Sequence, residues 1–133
     1  MENWQDKFEN FEILTKWEKQ KPIKPRKKSN EYRIVKINFK LYLEIKPQKP
    51  GIIFLTDLKH FNLIQNYCCF AHKNKHHKTY YIETKLKKRN IKFHRLLYPE
   101  WKMIDHINWS GLDNRECNLR KTTPRENQLN HKK

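Results

Sequence analysis

The sequence predicts a small mixed α+β domain in which antiparallel strands lead into a C-terminal strand–loop–strand–helix unit. Three observations carry that expectation. Val35, Ile37, Phe39, Leu41, Leu43 and Ile45 are apolar at every second position, with Lys36, Asn38, Lys40 and Glu44 between them, the period of a half-buried strand. Short apolar runs broken by polar turns recur through residues 51 to 94. Near the end, TTPREN offers Thr123 as a helix N-cap, Pro124 at the first helical position and Glu126 three residues after the cap. With 133 residues, 36% of them hydrophobic, the chain can bury one modest core.

Taken in order, residues 1 to 20 place Trp4, Phe8, Phe11, Ile13 or Leu14, and Trp17 at spacings of three and four, which predicts an amphipathic helix. Residues 21 to 30, with two prolines and a block of lysine and arginine, read as a basic linker. Residues 31 to 90 form the α+β N-terminal region. In it the alternating strand is followed by a turn at KPQKPG, a strand at IIFLT, and a helix over DLKHFNLIQNY. That helix is capped by Thr56 or Asp57 and turns Leu58, Phe61 and Ile64 inward. YCCFAHK and TYYIETKL are expected strands around the polar turn NKHHK, and NIKFH a last short strand. Residues 91 to 133 hold the C-terminal unit.

Charge narrows the partner class. Thirty Lys and Arg against fourteen Asp and Glu give a formal net charge of +16. The first twenty residues carry three lysines and five acidic residues, net −2, so the remainder carries +18. A surface so basic gains affinity for a polyanion by releasing the counterions condensed on phosphates, which points to nucleic acid. The longest apolar run, residues 51 to 55, is far too short for a membrane span, and the acidic start MENWQDKFENFE is no signal peptide. A soluble, intracellular protein is expected. Cys68, Cys69 and Cys117 are odd in number and include an adjacent pair, so no disulfide framework is implied. Cys68, Cys69, His72, His76 and His77 resemble zinc ligands in order, but the second ligand pair of a closed site is missing.

Residues 103 to 130, MIDHINWSGLDNRECNLRKTTPRENQLN, concentrate the chemistry. Phosphodiester hydrolysis needs a base beside the attacking water and a divalent cation on the scissile phosphate. Asp105 and His106 offer a hard oxygen ligand and an imidazole on adjacent residues, and Gly111, Asp113 and Asn114 supply a turn-rich loop. NLRKT reads as the returning strand. Strand, loop, strand and helix would gather Asp105, His106, Asn118 and Asn127.

The joint occurrence of DHIN, LDNR, NLR and T-x-x-E-N in that order resembles the HNH endonucleases, the ββα-metal or His-Me finger family, and most closely their homing type. The likeness covers residues 91 to 130, with a fainter one upstream. It implies His106 as general base, Asp105 and Asn127 as ligands of one Mg²⁺ or Mn²⁺, and Asn118 as the asparagine that bonds across the loop and fixes the histidine. Arg95, Arg115, Arg120 and Arg125, with Lys27 and Lys28 in the basic arm, would contact DNA phosphates. His94 has a family counterpart and is assigned a structural or phosphate-contacting role. The chain departs from the family after DHIN, where Trp109 replaces a common glycine. A positive φ there would strain it; otherwise its indole would lie against DNA.

The function implied is a metal-dependent endonuclease acting on double-stranded DNA. The alternatives are a basic nucleic-acid-binding protein whose HNH fold lacks turnover, and a subunit that meets a homo-oligomeric or protein partner through the N-terminal helix. Homing enzymes carry a further DNA-reading module, and none is recognisable beyond the last helix. Sequence specificity is therefore expected to come from residues 1 to 50 or from an oligomer, or to be slight.

Phosphate contacts should dominate binding. In fluorescence-anisotropy titrations on two unrelated duplexes, log K should fall with log salt by about 0.9 per phosphate neutralised, equally for both. Deleting residues 1 to 30 should flatten the slope. Affinity that ignores salt, or one duplex preferred at every salt concentration, would demand a dedicated base-reading surface.

Overall fold

The computed structural model describes residues 4–23, 29–47 and 51–122. Lys27, Lys28, Arg125, Asn127 and the helix expected from Thr123 lie outside the described residues. Within them the chain is α+β and mostly strand, and no helix is long and apolar enough to cross a membrane. The elements in order are α1 (Trp4–Lys7), β1 (Phe11–Ile13), β2 (Glu18–Lys19), β3 (Glu31–Ile37), β4 (Lys40–Lys46), β5 (Phe54–Asp57), and a 3₁₀ turn (Leu58–His60) running into α2 (Phe61–Gln65). They continue with β6 (Cys69–His72), β7 (Tyr81–Leu86), β8 (Arg89–Lys92), α3 (Phe93–Leu97), β9 (Ile104–His106), β10 (Asp113–Asn114), a second 3₁₀ turn (Glu116–Asn118) and β11 (Leu119–Lys121).

The main sheet has the order β1-β3-β4-β5-β10, with β2 also paired to β3. All its pairings are antiparallel except the last, where β10 runs parallel to β5. β6, β7 and β8 form a separate antiparallel meander, and β9 pairs with β11. Leu43, Ile45 and Phe54 are buried on one face of the main sheet, and Val35, Ile37 and Leu55 on the other. Phe93 at the head of α3 meets Phe54 edge-on at 5.4 Å and so couples the meander side to the core. A cross-strand ion pair, Arg33 Nε to Glu44 Oε1 at 2.6 Å, lies on a carboxylate that is almost wholly buried. Burial pushes Glu44 up, and the Arg33 hydrogen bond and charge oppose that shift.

The N-terminal amphipathic helix is corrected. Only Trp4–Lys7 is helical, and the chain then runs as edge strand β1 along β3. Spacings of three and four in so aromatic a segment fit a bent chain as well as a helix. The unpaired backbone edge of β3 offers hydrogen bonds, such as Leu14 N to Ile34 O at 2.9 Å, that outweigh weak local helix propensity. Trp4 is buried, its indole Nε1 donating to Ile53 O at 2.8 Å. Trp17 faces outward between the cations of Arg33 and Lys46. The basic linker is corrected at its ends: Gln20 Oε1 accepts from Asn30 N at 2.7 Å, and Asn30 Oδ1 from Cys69 N at 2.7 Å. Two buried amides thus clamp the segment closed.

The alternating strand is a hairpin. A two-residue turn at Asn38 and Phe39, with φ of 49° and 69°, joins β3 to β4. The turn pairs Ile37 with Lys40, so the odd-numbered apolar positions change faces across it; the pattern still reads as one strand because apolar residues are buried on both faces, and only Asn38 marks the turn. Lys87 and Lys88, at φ of 52° and 66°, make the same turn between β7 and β8. The helix over DLKHFNLIQNY begins as a 3₁₀ turn, and neither expected cap acts as one. Thr56 Oγ1 lies 3.1 Å from His60 Nδ1, and Asp57 Oδ2 accepts from Glu116 N at 2.7 Å. FHRLL forms α3 rather than extending the strand before it.

Phe39 is 84% exposed at positive φ and packs little, so glycine suits the position better. Phe39→Gly should stabilise the fold by about 0.5–1 kcal/mol, read as a higher urea midpoint at an unchanged slope. A lower midpoint would mean that the phenyl ring contributes packing.

Candidate functional site

β9 and β11 are the two strands of the C-terminal unit, in the register Leu119↔His106 and Arg120↔Asp105. The loop between them does not hang free, because β10 docks onto β5 as Asp113↔Leu55 and Asn114↔Thr56. Leu55 N donates to Leu112 O at 2.9 Å, and Asp113 and Asn114 have no solvent exposure. Gly111 is needed for closeness rather than for φ: a Cβ there would stand 2.2 Å from Tyr80 O and 2.8 Å from the Tyr81 ring. The loop is wedged against the start of β7.

A buried ion pair organises it. Arg115 grips Asp113 with both arms of its guanidinium, Nε to Oδ1 at 2.8 Å and Nη2 to Oδ2 at 2.7 Å, while Asn108 Nδ2 donates to Oδ2 at 2.9 Å. The rings of Phe8 and Tyr42 lie on the guanidinium at 4.8 and 5.4 Å. Burial opposes the charge on Arg115, but the hydrogen bonds and charge of Asp113 outweigh it and drive Arg115 above its ordinary value. Asn118 bonds across the loop as expected: its Nδ2 donates to Asn108 Oδ1 at 2.9 Å and Asp113 O at 2.8 Å, and its Oδ1 accepts from Asn108 N at 3.0 Å.

The histidine is held by another residue. His106 Nε2 lies 2.9 Å from Asn114 Oδ1, so the expectation that Asn118 fixes the ring is corrected to Asn114. Asn114 Nδ2 donates to Gly111 O at 3.3 Å, which turns its oxygen toward the imidazole. Nε2 must then carry the proton, and Nδ1 keeps the lone pair. His94 stands edge-on to His106 at 4.8 Å between ring centroids, and Tyr81 lies 5.7 Å from it. Burial pushes His106 below its ordinary value, against its hydrogen bond to Asn114 and the charges of Asp113 and Asp105. Burial, helped by His106, Lys92 and Arg95, pushes His94 down to about 2. Two neutral imidazoles therefore face each other.

Asp105 is buried beside them, and Arg120 Nη2 donates to its Oδ2 at 2.6 Å. Its charge helps burial to raise Tyr81. A carboxylate next to a neutral imidazole suits a hard cation that keeps most of its shell as water and phosphate. Among the described residues no three His, Cys, Asp or Glu side chains cluster closely enough to hold a metal ion. The second implied ligand, Asn127, lies outside those residues.

The arginines expected on phosphates are corrected in part. Arg115 is committed to Asp113, and Arg95 is turned onto the loop after α3, donating to Trp101 O and, at 3.0 Å, to Lys102 O. Arg120 keeps an exposed side chain although it pairs with Asp105. Asn114, Tyr81 and His94 are the neighbours of His106 that sequence reasoning missed or underrated. The phrase LDNR contained Asn114, but nothing local to it announces a parallel bridge to residues 55 and 56. In β6, Cys69 is buried, and His72 Nδ1 lies 3.3 Å from Glu83 Oε2 across the meander.

Comparison with known protein families, curated proteins and solved structures finds no match to this chain.

Acid should unfold the protein through this pair of histidines. Their folded values are depressed, so stability is full above the ordinary value of 6.5 and is lost as pH falls, because only the unfolded state takes up the protons. Each contributes about 1.4 kcal/mol per pH unit within that window. The midpoint of thermal unfolding should drop markedly between pH 7 and pH 5, and His94→Gln should flatten the drop. An unchanged pH dependence in that variant would show that His94 is not buried neutral.

Proposed function

We propose that the chain is a metal-dependent endonuclease of the HNH type that hydrolyses phosphodiester bonds in DNA, with the β9–β11 pair and the helix expected after Thr123 forming its ββα-metal unit. One observation carries this reading. His106 is a neutral imidazole, oriented through Nε2 by Asn114 with Nδ1 left as acceptor, beside the carboxylate of Asp105 in a chain of net charge +16. His106 Nδ1 takes the proton of the attacking water. Asp105, with Asn127, would hold one Mg²⁺ or Mn²⁺. When bound, that cation would polarise the scissile phosphate and neutralise the leaving oxygen. Asn118 acts on the loop and not on the substrate, and Asn114 positions the base. Arg120, paired with Asp105 but with an exposed side chain, would be the arginine nearest the site to contact a phosphate.

A nucleic-acid-binding protein without turnover is the second reading. It is favoured by the Arg120 guanidinium, which already neutralises the carboxylate that a cation would use.

Nicking of supercoiled plasmid, with and without Mg²⁺, separates the two. Wild-type protein should nick only with the cation, and His106→Ala should lose about 10²–10⁴-fold in rate while still binding DNA. Asn114→Ala should lose about 10–100-fold. Asp105→Ala should lose metal affinity and recover part of its activity in excess Mn²⁺. The rate should rise with pH along an acid limb below the ordinary histidine value of 6.5. Near-normal nicking by His106→Ala would overturn the mechanism, and binding without any nicking by the wild type would favour the second reading.

A further inference from the structure

Three segments far apart in sequence converge beside the candidate site: α1 with Phe8, the turn that leads into β7, and the loop after β9. They line a half-open cavity of about 360 Å³ whose walls include Trp4, Lys7, Phe8, Lys78, Asn108 and Trp109. Its size falls at the low end of small-ligand sites, about 300–1,000 Å³, which suits one nucleoside and not a packed duplex.

Trp109 is the unusual part of its wall. It adopts φ 63°, a conformation that costs a non-glycine residue on the order of 1–2 kcal/mol. Burial does not repay that cost, because Trp109 remains 47% exposed. The surrounding loop imposes the conformation: Trp109 N donates to His106 O at 2.9 Å, Ser110 N donates to Asn108 Oδ1 at 2.9 Å, and Asn108 is tied to Asp113 and Asn118. The hydrogen-bonded loop that carries His106 therefore also presents an indole at the cavity, three residues further along. Strain kept at such a place points to a ligand.

The chemistry of the wall names that ligand. Trp4, almost wholly buried, and Phe8 stack on each other at 6.0 Å and close the floor, with Lys7 Nζ 5.4 Å from the Trp4 ring. Lys78 is exposed on the wall, and Trp109 supplies the exposed ring. An exposed indole with lysines nearby matches an unstacked base and its flanking phosphates. We infer that this cavity receives one unpaired nucleobase of the DNA, stacked on Trp109, next to the phosphate offered to His106. The inference rests on the nucleic-acid reading of the site, but not on turnover.

The test measures binding without divalent cation, in EDTA, by fluorescence anisotropy. Labelled eight-residue single strands of thymidylate are compared with abasic strands of equal length and charge, for the wild type, Trp109→Gly and Trp109→Phe. The wild type should prefer the thymidylate strand by roughly 5- to 150-fold, the contribution of one base stacked on an aromatic ring. Trp109→Gly, which also relieves the backbone, should lose most of that preference, and Trp109→Phe should keep most of it. Lys78→Ala should weaken both strands alike. Equal affinity of the wild type for the two strands, or a preference untouched in Trp109→Gly, would overturn the inference. Plasmid nicking is scored separately: nicking with no base preference sinks the base subsite alone, and base preference without nicking sinks the endonuclease alone.

Discussion

The buried pair of Asp113 and Arg115 is the constraint on which the site depends. A carboxylate with no exposure would cost several kcal/mol if unpaired, and here a two-pronged guanidinium and the Asn108 amide satisfy both oxygens. That charge pair fixes residues 113 and 114 against β5. From there Asn114 reaches His106, Asn108 and Asn118 lock the strand exit, and Gly111 lies against Tyr80. The aromatic rings over Arg115 come from Phe8, just after α1, and from Tyr42 in β4, so the N-terminal segment, the main hairpin and the loop share one electrostatic knot.

The same knot explains the divided behaviour of the arginines. A guanidinium within reach of a buried carboxylate gains two charge-assisted hydrogen bonds, which no solvated phosphate contact matches inside the fold. Arg115 and Arg95 are used for construction, whereas Arg120, in the middle of β11, pairs with Asp105 and keeps an exposed side chain. Most of the chain's positive charge is lysine, which the composition supplies in excess over arginine.

How much of this was legible depends on the range of the signal. Period-two alternation predicted β3 and β4 because side-chain parity is local, yet it hid their turn because the odd positions go on being apolar after Asn38 and Phe39 move them to the other, equally buried face. Trp4 through Trp17 misled because apolar spacing cannot distinguish a helix from a chain wrapped over a sheet edge, and the edge of β3 is formed by residues about twenty positions away. His106 and Asp105 were readable from residue chemistry, and Asn118 from its place in the loop. Asn114 was not, since its role is created by a parallel bridge to Thr56, which no local pattern encodes. The positive φ of Trp109 was foreseen as a conditional strain at the position and is present.

The bridge between β10 and β5 also has a kinetic meaning. Thr56 Oγ1 donates to Asn114 O across 58 residues of sequence, and the whole meander lies in the loop that this contact closes. Closing so long a loop carries an entropic cost that the β3–β4 hairpin, with its two-residue turn, avoids. The hairpin is therefore expected to form before the contacts around His106. A partly unfolded chain in which β10 has left β5 has no Asn114 beside His106, so the imidazole is oriented only in the complete fold.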